Sequence, residues 1–461
     1  MERRLLENRC RPADHLLAVA DEPYPALLES TLPGKQQGRY SILCWSPFKK
    51  LTVTRGGILV EYFRDGGERR RSRRPFRVMS QEFSSHRLRK SAAPDLPFCG
   101  GVVGYFSYDL RHWIERLPRR CNYDINAPHA VLCFYDHGIV FDHEQERADW
   151  VELSGCTETP PESVPEAPEE VDVPECRMDS NFSRQEYLHA VRRAREYIGA
   201  GDIFQVNLSQ RFTGRTPARG QDLYRRLRTH NPGAFAGYLK YPGLEIMSSS
   251  PERFLLLDGD RVMTRPIKGT RPRRPGDTEF NRRMMQELTS SEKDLAELAM
   301  IVDLERNDLG RACSYGTVTV ERHAEVEEYS TVFHLVSTVS GRLHRPAHDE
   351  FSLLKGTFPG GSITGAPKIR AMEIIEELEP HARGPYTGSM GYISFHGRMD
   401  LNIMIRTAVK VGDRLHMQFG GGIVADSDPR KEFRETLDKG RSMLRAAEAS
   451  NYEELTAERQ T

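Results

Sequence analysis

RQEYLHAVRRAREYIGAGDIFQVNLSQRF, residues 184–212, changes period in its middle. Tyr187, Leu188, Val191, Ala194 and Ile198 recur every three or four residues, the apolar stripe of an amphipathic helix. The helix is expected to end at Gly199 or Gly201. From Ile203 the period drops to two, with Val206 and Leu208 set against Gln205, Asn207 and Ser209. A helix therefore feeds directly into a strand.

Outward from this stretch, both periods continue. Helices are predicted for SSEKDLAELAMIVDLERNDLG with a serine N-cap, for GAPKIRAMEIIEELEP with Pro367 in its first turn and Pro380 as its stop, and for DPRKEFRETLDKGRSMLRAAEA. Strands such as GSMGYISF, NIMIRTAVK and LHMQFGGGIVA lie between them. Hairpin-like strand pairs are common. The expected class is α+β with large antiparallel sheets, in preference to a doubly wound parallel sheet. There is no internal repeat.

Residues 1–150 alternate short β-type runs with turn residues and are read as a sheet-rich N-terminal region. The segment CTETPPESVPEAPEEVDVPEC (156–176) holds five prolines and many acids. It has too little apolar surface to offset its ordering entropy, and reads as a linker or surface excursion within 151–180. Residues 181–450 form the second region and 451–461 a tail. The basic run ERRRSRRPFR (68–77) reads as a solvated loop, with an anion-binding patch as the alternative.

Among 461 residues, 66 basic and 66 acidic side chains balance to zero. Nothing global points to nucleic acid or an anionic membrane. The eight cysteines form no CxxC pair, so they read as reduced packing residues. Without an apolar leader or an uninterrupted membrane-length run, the expected location is cytoplasmic.

Several constellations could carry chemistry. Glu432, Glu435 and Lys439 fall on one face of the last helix. On that helix alone they would be a solvated ion-pair stripe. They follow the glycine run FGGGIVA, however, and Glu297 stands in an apolar stretch of another helix, where a carboxylate needs a partner or a cation. Two carboxylates from two helices, completed by water and an anionic substrate, can hold Mg²⁺. The segment FPGGSITGAPK precedes a helix, and its amides with Lys368 could form an anion site; it is neither GxxxxGK[ST] nor GxGxxG. Glu252, after a Ser-Pro turn, could serve as a general acid or base. His334 lies in an apolar run, as a core histidine or a catalytic one. Lys268, in RPIKGTRPR, can lose its proton where arginine cannot. Arg265 and Arg271 beside it could lower its pKa. Nucleophile and anion anchor both remain open for it.

Taken together, GDIFQVNLSQRF, SSSPERF, RPIKGTRPR, KDLAELAMIVDLERNDLGR, HLVSTVSG, FPGGSITGAPKIRAMEIIEELEP, GYISFHG, IMIRTA and GGGIVADSDP resemble the chorismate-utilising enzymes. That family holds anthranilate synthase component I, aminodeoxychorismate synthase component I, and the isochorismate and salicylate synthases. The matches run in order from about 183 to 445, and LLES, GRYSILCWSP and GGVVGYFSYD resemble its amino-terminal region. The resemblance implies two facing antiparallel sheets with helices around them, and Mg²⁺ with chorismate between. It implies Glu297 and Glu435 as metal ligands, with Glu432 close by, and Glu252 as general acid/base near the ring C4 oxygen. Thr364, Tyr386, Arg406, the amides of Gly420, Gly421 and Gly422, and Lys439 would contact the substrate carboxylates. His334 becomes an active-site histidine.

Two positions choose within the family. Isochorismate and salicylate synthases carry a water-activating lysine where this chain has Gln205. Anthranilate synthases typically read PIAGT where this chain reads PIKGT, so the lysine implies synthesis of 4-amino-4-deoxychorismate, in the para-aminobenzoate branch of folate biosynthesis. Lys268 would attack ring C2 before ammonia adds at C4. No glutaminase signature is evident, which implies a separate glutamine amidotransferase subunit. Ser30, Arg39, Tyr40 and Phe235 match the family's tryptophan site approximately. The chain departs from the family in reading AEL, not AEN, at 296–298, and 156–176 matches no motif. The alternatives are an anthranilate synthase component I and a non-catalytic tryptophan- or chorismate-binding regulatory subunit.

Overall fold

The computed structural model describes residues 1–6, 11–32, 38–64, 66–67, 69–88, 96–168, 171–329 and 332–456. Cys10, Glu68 of the basic run, residues 169–170 of the acidic segment and tail residues 457–461 lie outside them.

Two antiparallel sheets of twelve strands each dominate the molecule. The first runs Glu2–Leu6, Arg147–Glu152, His137–Asp142, Tyr40–Cys44, Ala26–Glu29, Phe235–Tyr241, Leu244–Ser250, Thr407–Val411, Arg414–Ile423, Gln205–Arg215 and Asp179–Ser180, with Gly365–Ala366 pairing off this path. The second runs Ile267–Pro272, Val332–Arg342, Arg261–Thr264, Arg253–Asp258, Met399–Asn402, Ser389–Ser394, Gly101–Phe106, Ala130–Tyr135, Lys49–Thr54, Gly57–Tyr62 and Arg69–Ser72, with Thr319–Glu328 on the flank of Val332–Arg342. The α+β, antiparallel expectation holds.

The strand predicted at the opening stretch exists and is long. Gln205–Arg215 pairs with Arg414–Ile423 over ten residues, setting Asn207 opposite Gly422 and Arg211 opposite Gln418. The preceding helix, Arg184–Gly199, starts at a capping box: Ser183 Oγ accepts from the Glu186 amide at 3.3 Å and Glu186 Oε2 accepts from the Ser183 amide at 2.7 Å. Such a cap contributes about 1 kcal/mol.

Both sequence regions build both sheets. Ala26–Glu29 pairs with Phe235–Tyr241 in the first, and Gly101–Phe106 with Ser389–Ser394 in the second. Tyr105 and Val131 of one sheet pack with Leu239 and Ile246 of the other, so the core between the sheets also draws on both regions.

Two local expectations change, and a third is sharpened. The basic run is not a loop: Arg69–Ser72 is an edge strand along Gly57–Tyr62, and Pro75 opens a helix to Ser84. Alternate arginines of an edge strand can all reach water, so charge did not preclude pairing. The acidic segment is a surface excursion tied down at Ala167, Pro168 and Val171. Asp14 accepts from the Ala167 amide at 3.1 Å, Arg225 donates to the Pro168 carbonyl, and Arg226 donates to the Val171 carbonyl at 2.8 Å. Pro367 is the N-cap of Lys368–Leu378 and not part of its first turn, because Gly365–Ala366 is held as a strand beside Gln205-Val206.

The described cysteines are all free, and no helix among the described residues is long and apolar enough to cross a membrane.

Candidate active site

Glu297 is carried by the helix Glu292–Gly310, and Glu432, Glu435 and Lys439 by Pro429–Ala446. The glycine run lies against the second helix. A Cβ on Gly421 would stand 3.3 Å from Glu432 Oε2 and 3.6 Å from Glu435 Oε1, so it would crowd the first carboxylate and touch the second. Lys439 Nζ reaches Glu435 at 2.6 Å and donates to the Gly420 carbonyl at 3.1 Å.

Burial pushes the Glu297 carboxyl up, and Glu435 adds repulsion. Glu432 is pushed up the same way, against a 2.7 Å hydrogen bond from Ser427. Burial also acts on Glu435, but Lys439, Lys293 and Lys268 outweigh it and hold this carboxyl below its ordinary range. Three mutually repelling carboxylates offering only oxygen donors suit a hard divalent cation. Their oxygens do not all converge within 4.8 Å, a spacing met elsewhere by Asp136, His137 and Cys156.

Lys268 enters this cluster from the second sheet. Its strand slips register against Val332–Arg342 between Lys268 and Thr270, at Gly269. Gly269 has φ +74°, and a Cβ there would sit 2.8 Å from Leu288 Cδ1. The bulge re-aims the lysine. Its Nζ lies 4.0 Å from Glu297 Oε2. Burial pushes the Lys268 amine down and Lys439 adds to the push, while Glu297, Glu252 and Glu435 oppose it. The flanking arginines do not lower it. Arg265 is paired with Glu327 and Arg271 with Asp294 at 3.2 Å, so their charge is spent on carboxylates.

Glu252 is buried after the Ser250-Pro251 turn, and its backbone carbonyl accepts from the Ile403 amide at 3.0 Å. Ser362 Oγ donates to its Oε1 at 2.6 Å. Burial outweighs this bond and pushes the carboxyl up to about 7.

Arg406 has φ +48°, a sparsely populated conformation for a non-glycine residue. Its guanidinium reaches Asn231 Oδ1 at 3.4 Å. Burial lowers its pKa, no carboxylate opposes the shift, and no ion pair to Arg406 occurs among the described residues. A half-buried guanidinium with no carboxylate partner is a receptor for an anion. His334 faces it. Burial and then Arg406 push the imidazole down to about 4, so it is neutral near pH 7, with Nδ1 3.0 Å from Thr270 Oγ1.

Tyr386 is buried beside Arg383, whose guanidinium lies 5.9 Å from its ring. The Thr364 hydroxyl donates to the Gly360 carbonyl at 2.9 Å, and its own carbonyl accepts from the Asn207 amide at 2.8 Å. Gln205 packs against Gly422, where a Cβ would fall 2.3 Å from its Nε2. Lys368, expected to help bind an anion, is occupied: it pairs with Asp308 and donates to the Thr357 and Pro359 carbonyls at 2.8 and 2.7 Å.

Sequence reasoning missed Glu305. This buried carboxyl accepts from Thr264 Oγ1 at 3.0 Å and is pushed up by burial and by Glu252. Its signal was an acid at a buried position of a helix with mixed periodicity.

The four residues matched to a tryptophan site lie apart from this cluster. Arg39, Tyr40 and Phe235 line a cavity of about 350 Å³ with Arg253, Asp400 and Asn402. Ser30 abuts its rim, since a Cβ on Gly38 would clash with Ser30 Oγ. Arg39 is paired with Asp142 at 2.7 Å and Glu144 at 3.3 Å.

Known proteins resemble this chain along most of its length. The model of a family described as chorismate binding enzyme matches residues 29–445. The chain is 42% identical to anthranilate synthase component 1 of Thermus thermophilus over 457 residues, covering 95% of each chain. It is 38% identical to aminodeoxychorismate synthase component 1 of Escherichia coli over 430 residues, covering 92% of this chain and 94% of that one. The crystal structure of anthranilate synthase component I from Streptococcus pneumoniae superposes with TM-score 0.77 at 32% identity, covering 89% of this chain and 93% of that one.

Proposed function

This chain belongs to the chorismate-binding enzyme family, and within it we propose that the protein makes 4-amino-4-deoxychorismate from chorismate and ammonia. Relatives named for the aminodeoxychorismate and the anthranilate reactions stand at similar identity, so the reading rests on the site. The observation that carries it is Lys268, an amine on a largely enclosed side chain, 15% exposed, 4.0 Å from Glu297, where desolvation pushes its pKa down toward the neutral, nucleophilic form.

Each residue then has a task. Arg406 binds a substrate carboxylate, with Tyr386, Lys439 and the amides of Gly420, Gly421 and Gly422 as further donors, and neutral His334 lies beside it. Mg²⁺, held by Glu297 and Glu435 with Glu432 close by, would neutralise the other carboxylate and orient the ring. Lys268 Nζ forms a bond to ring C2 as both ring double bonds shift toward C4 and the C4–O bond breaks. Glu252, half protonated near pH 7, gives the departing hydroxyl its proton, so water leaves. Ammonia then bonds to C4, both double bonds shift back, the C2–N bond breaks, and Glu252 recovers a proton from the new amine.

Ammonia is supplied by a separate glutamine amidotransferase subunit, the usual partner of component 1 proteins. The cavity at Arg39, Tyr40 and Phe235 is proposed to hold tryptophan, as an effector or a structural ligand.

The test is product analysis with chorismate, Mg²⁺ and ammonium. The expected product is 4-amino-4-deoxychorismate, with anthranilate absent. Lys268→Ala should abolish efficient turnover and any covalent adduct seen by mass spectrometry. Direct formation of anthranilate by the native chain would overturn the proposal in favour of the anthranilate reaction. Chorismate binding without any turnover would favour a regulatory subunit.

A further inference from the structure

The chain crosses from the second sheet to the first at a single residue. Ala130–Tyr135 belongs to the second, His137–Asp142 to the first, and Asp136 joins them. The backbone later folds back onto this crossing. His137 stands opposite Glu152, the Leu153 amide donates to the Asp136 carbonyl at 2.7 Å, and the Cys156 amide donates to the Leu153 carbonyl at 3.1 Å. Gly155, at φ +87°, makes that last turn possible. Cys156, the first residue of the acidic excursion, is thereby returned to Asp136 and His137.

One ligand atom from each of Asp136, His137 and Cys156 lies within 4.8 Å of the other two. Asp136 and His137 are 5% and 0% exposed, and Cys156 is half-buried. His137 Nδ1 lies 3.1 Å from Asp136 Oδ1. The imidazole packs against Trp45 and Trp150, with ring centroids 5.0 and 5.2 Å away, and its Nε2 has no hydrogen-bond partner among the described residues. Arg64 holds the other carboxylate oxygen, Asp136 Oδ2, at 2.6 Å. A carboxylate with one oxygen fixed by an outer hydrogen bond, and the other turned to a histidine nitrogen, is arranged as metal-ligating carboxylates are.

Hydrogen bonds alone leave Cys156 poorly used. Its thiol donates to the Glu158 carbonyl at a long 3.8 Å. Burial pushes the thiol up to about 11, and the Asp136 and Glu152 carboxylates add to the push. A thiol kept protonated near pH 7 is a poor redox group. A cation can still take the place of its proton. With the thiol deprotonated, Asp136 and Cys156 set two negative charges against the positive charge of Arg64, so a divalent ion is attracted.

We infer that Asp136, His137 and Cys156 form a second metal site, for Zn²⁺, with water completing the coordination on the half-exposed Cys156 side. Mixed oxygen, nitrogen and sulfur donors suit zinc and disfavour Mg²⁺, which takes oxygen alone. Donors around a tetrahedral zinc stand roughly 3.3–3.8 Å apart. Cys156, in a surface turn, closes to that spacing by side-chain rotation. Binding forms a Zn–S bond, breaks the S–H bond and releases that proton to solvent. The ion pins the start of the acidic excursion to the crossing between the sheets. It makes one packing cysteine a ligand and gives the motif-free segment an anchor at its first residue. The site is independent of the chorismate reaction and of Glu297, Glu432 and Glu435.

The test is Co²⁺ titration of the chelator-stripped full chain, with saturating Mg²⁺ to occupy the carboxylate cluster. One equivalent of Co²⁺ should produce a thiolate-to-cobalt charge-transfer band, and Zn²⁺ should remove it by displacement. Cys156→Ser should lose the band while chorismate turnover and the metal-free melting temperature stay near native. Asp136→Asn should weaken binding about tenfold or more. In the native chain Zn²⁺ should slow iodoacetamide alkylation of Cys156, read by mass spectrometry, about tenfold or more. Absence of the band from the native chain, or its persistence in Cys156→Ser, would overturn the inference. Alkylation of native Cys156 at the same rate with and without Zn²⁺ would overturn it too, whatever the variants do.

Discussion

Lys268 Nζ stands 4.0 Å from Glu297 Oε2, beyond the 2.7–3.2 Å of a hydrogen bond. Lys439, by contrast, closes to 2.6 Å on Glu435. The two lysines of the cluster thus have different duties. Lys439 is tied to its carboxylate and to the Gly420 carbonyl. Lys268 is near enough to Glu297 to be oriented, and loose enough to give up its proton under the push of burial and Lys439.

Lys268→Arg follows from this contrast. The variant keeps the positive charge beside Glu297 and removes the nucleophile, because a guanidinium stays protonated. Chorismate affinity should change by less than about tenfold, while kcat falls by about a hundredfold or more. The check is single-turnover kinetics with mass spectrometry of the quenched protein. A variant with native kcat would show that Lys268 acts only by its charge.

Glu252 links pH to both rate and stability. Its carboxyl is pushed up to about 7 by burial, from an ordinary value of 4.5. The folded state therefore favours the protonated form. That stabilisation is complete below about pH 4.5 and is lost as pH rises through about 7. Glu252→Gln keeps the shape and removes the titration. It should abolish most turnover yet raise the melting temperature relative to the native chain at pH 8, by the equivalent of roughly 2–3 kcal/mol, with little difference at pH 5. Thermal scans at the two pH values read this directly. In the native enzyme the acid-catalysed half of the reaction should weaken as pH rises through about 7.

Gly421→Ala tests the carboxylate pair. The added Cβ would approach Glu432 Oε2 to 3.3 Å and Glu435 Oε1 to 3.6 Å. The fold should tolerate it, since the acid side chains can move by tenths of an ångström. That movement spreads the oxygens proposed to hold Mg²⁺. The expected outcome is about tenfold or greater weakening of Mg²⁺ binding, measured by titration calorimetry, with a near-native melting temperature. Unchanged Mg²⁺ affinity would place the metal away from this helix.

Much of this was legible in residues 184–212, where the change of period announced a helix running into a strand. The serine cap before the helix that carries Glu297 was equally local, and local signals survive folding. The site was legible as residue types, and the resemblance supplied their roles. What the sequence hid was non-local. Arg265 and Arg271 sit next to Lys268 in the chain and spend their charge on Glu327 and Asp294. Lys439, far away in sequence, is the cation that presses on Lys268. Glu305 was hidden because its burial depends on Thr264 and Glu252 arriving from the second sheet. The acidic segment looked free because its composition gives it no core of its own. Its anchors are borrowed from Asp14, Arg225 and Arg226.

Arg226 is the anchor that most separates stability from chemistry. Its guanidinium donates to the Val171 carbonyl and the Ala446 carbonyl, each at 2.8 Å, and pairs with Glu448. It thereby ties the acidic segment to the end of the helix that carries Glu432 and Glu435. None of these bonds touches the catalytic cluster. Arg226→Ala should remove charge-assisted bonds worth about 1–3 kcal/mol and release the segment around Val171. Limited proteolysis should then cut within 156–176 several times faster than in the native chain, while kcat and KM for chorismate stay near native values. Lys in place of Arg should restore only part of the protection, because one ammonium cannot span two carbonyls and a carboxylate in the same fork. Cleavage at the native rate in Arg226→Ala would show that Asp14 and Arg225 suffice to hold the segment.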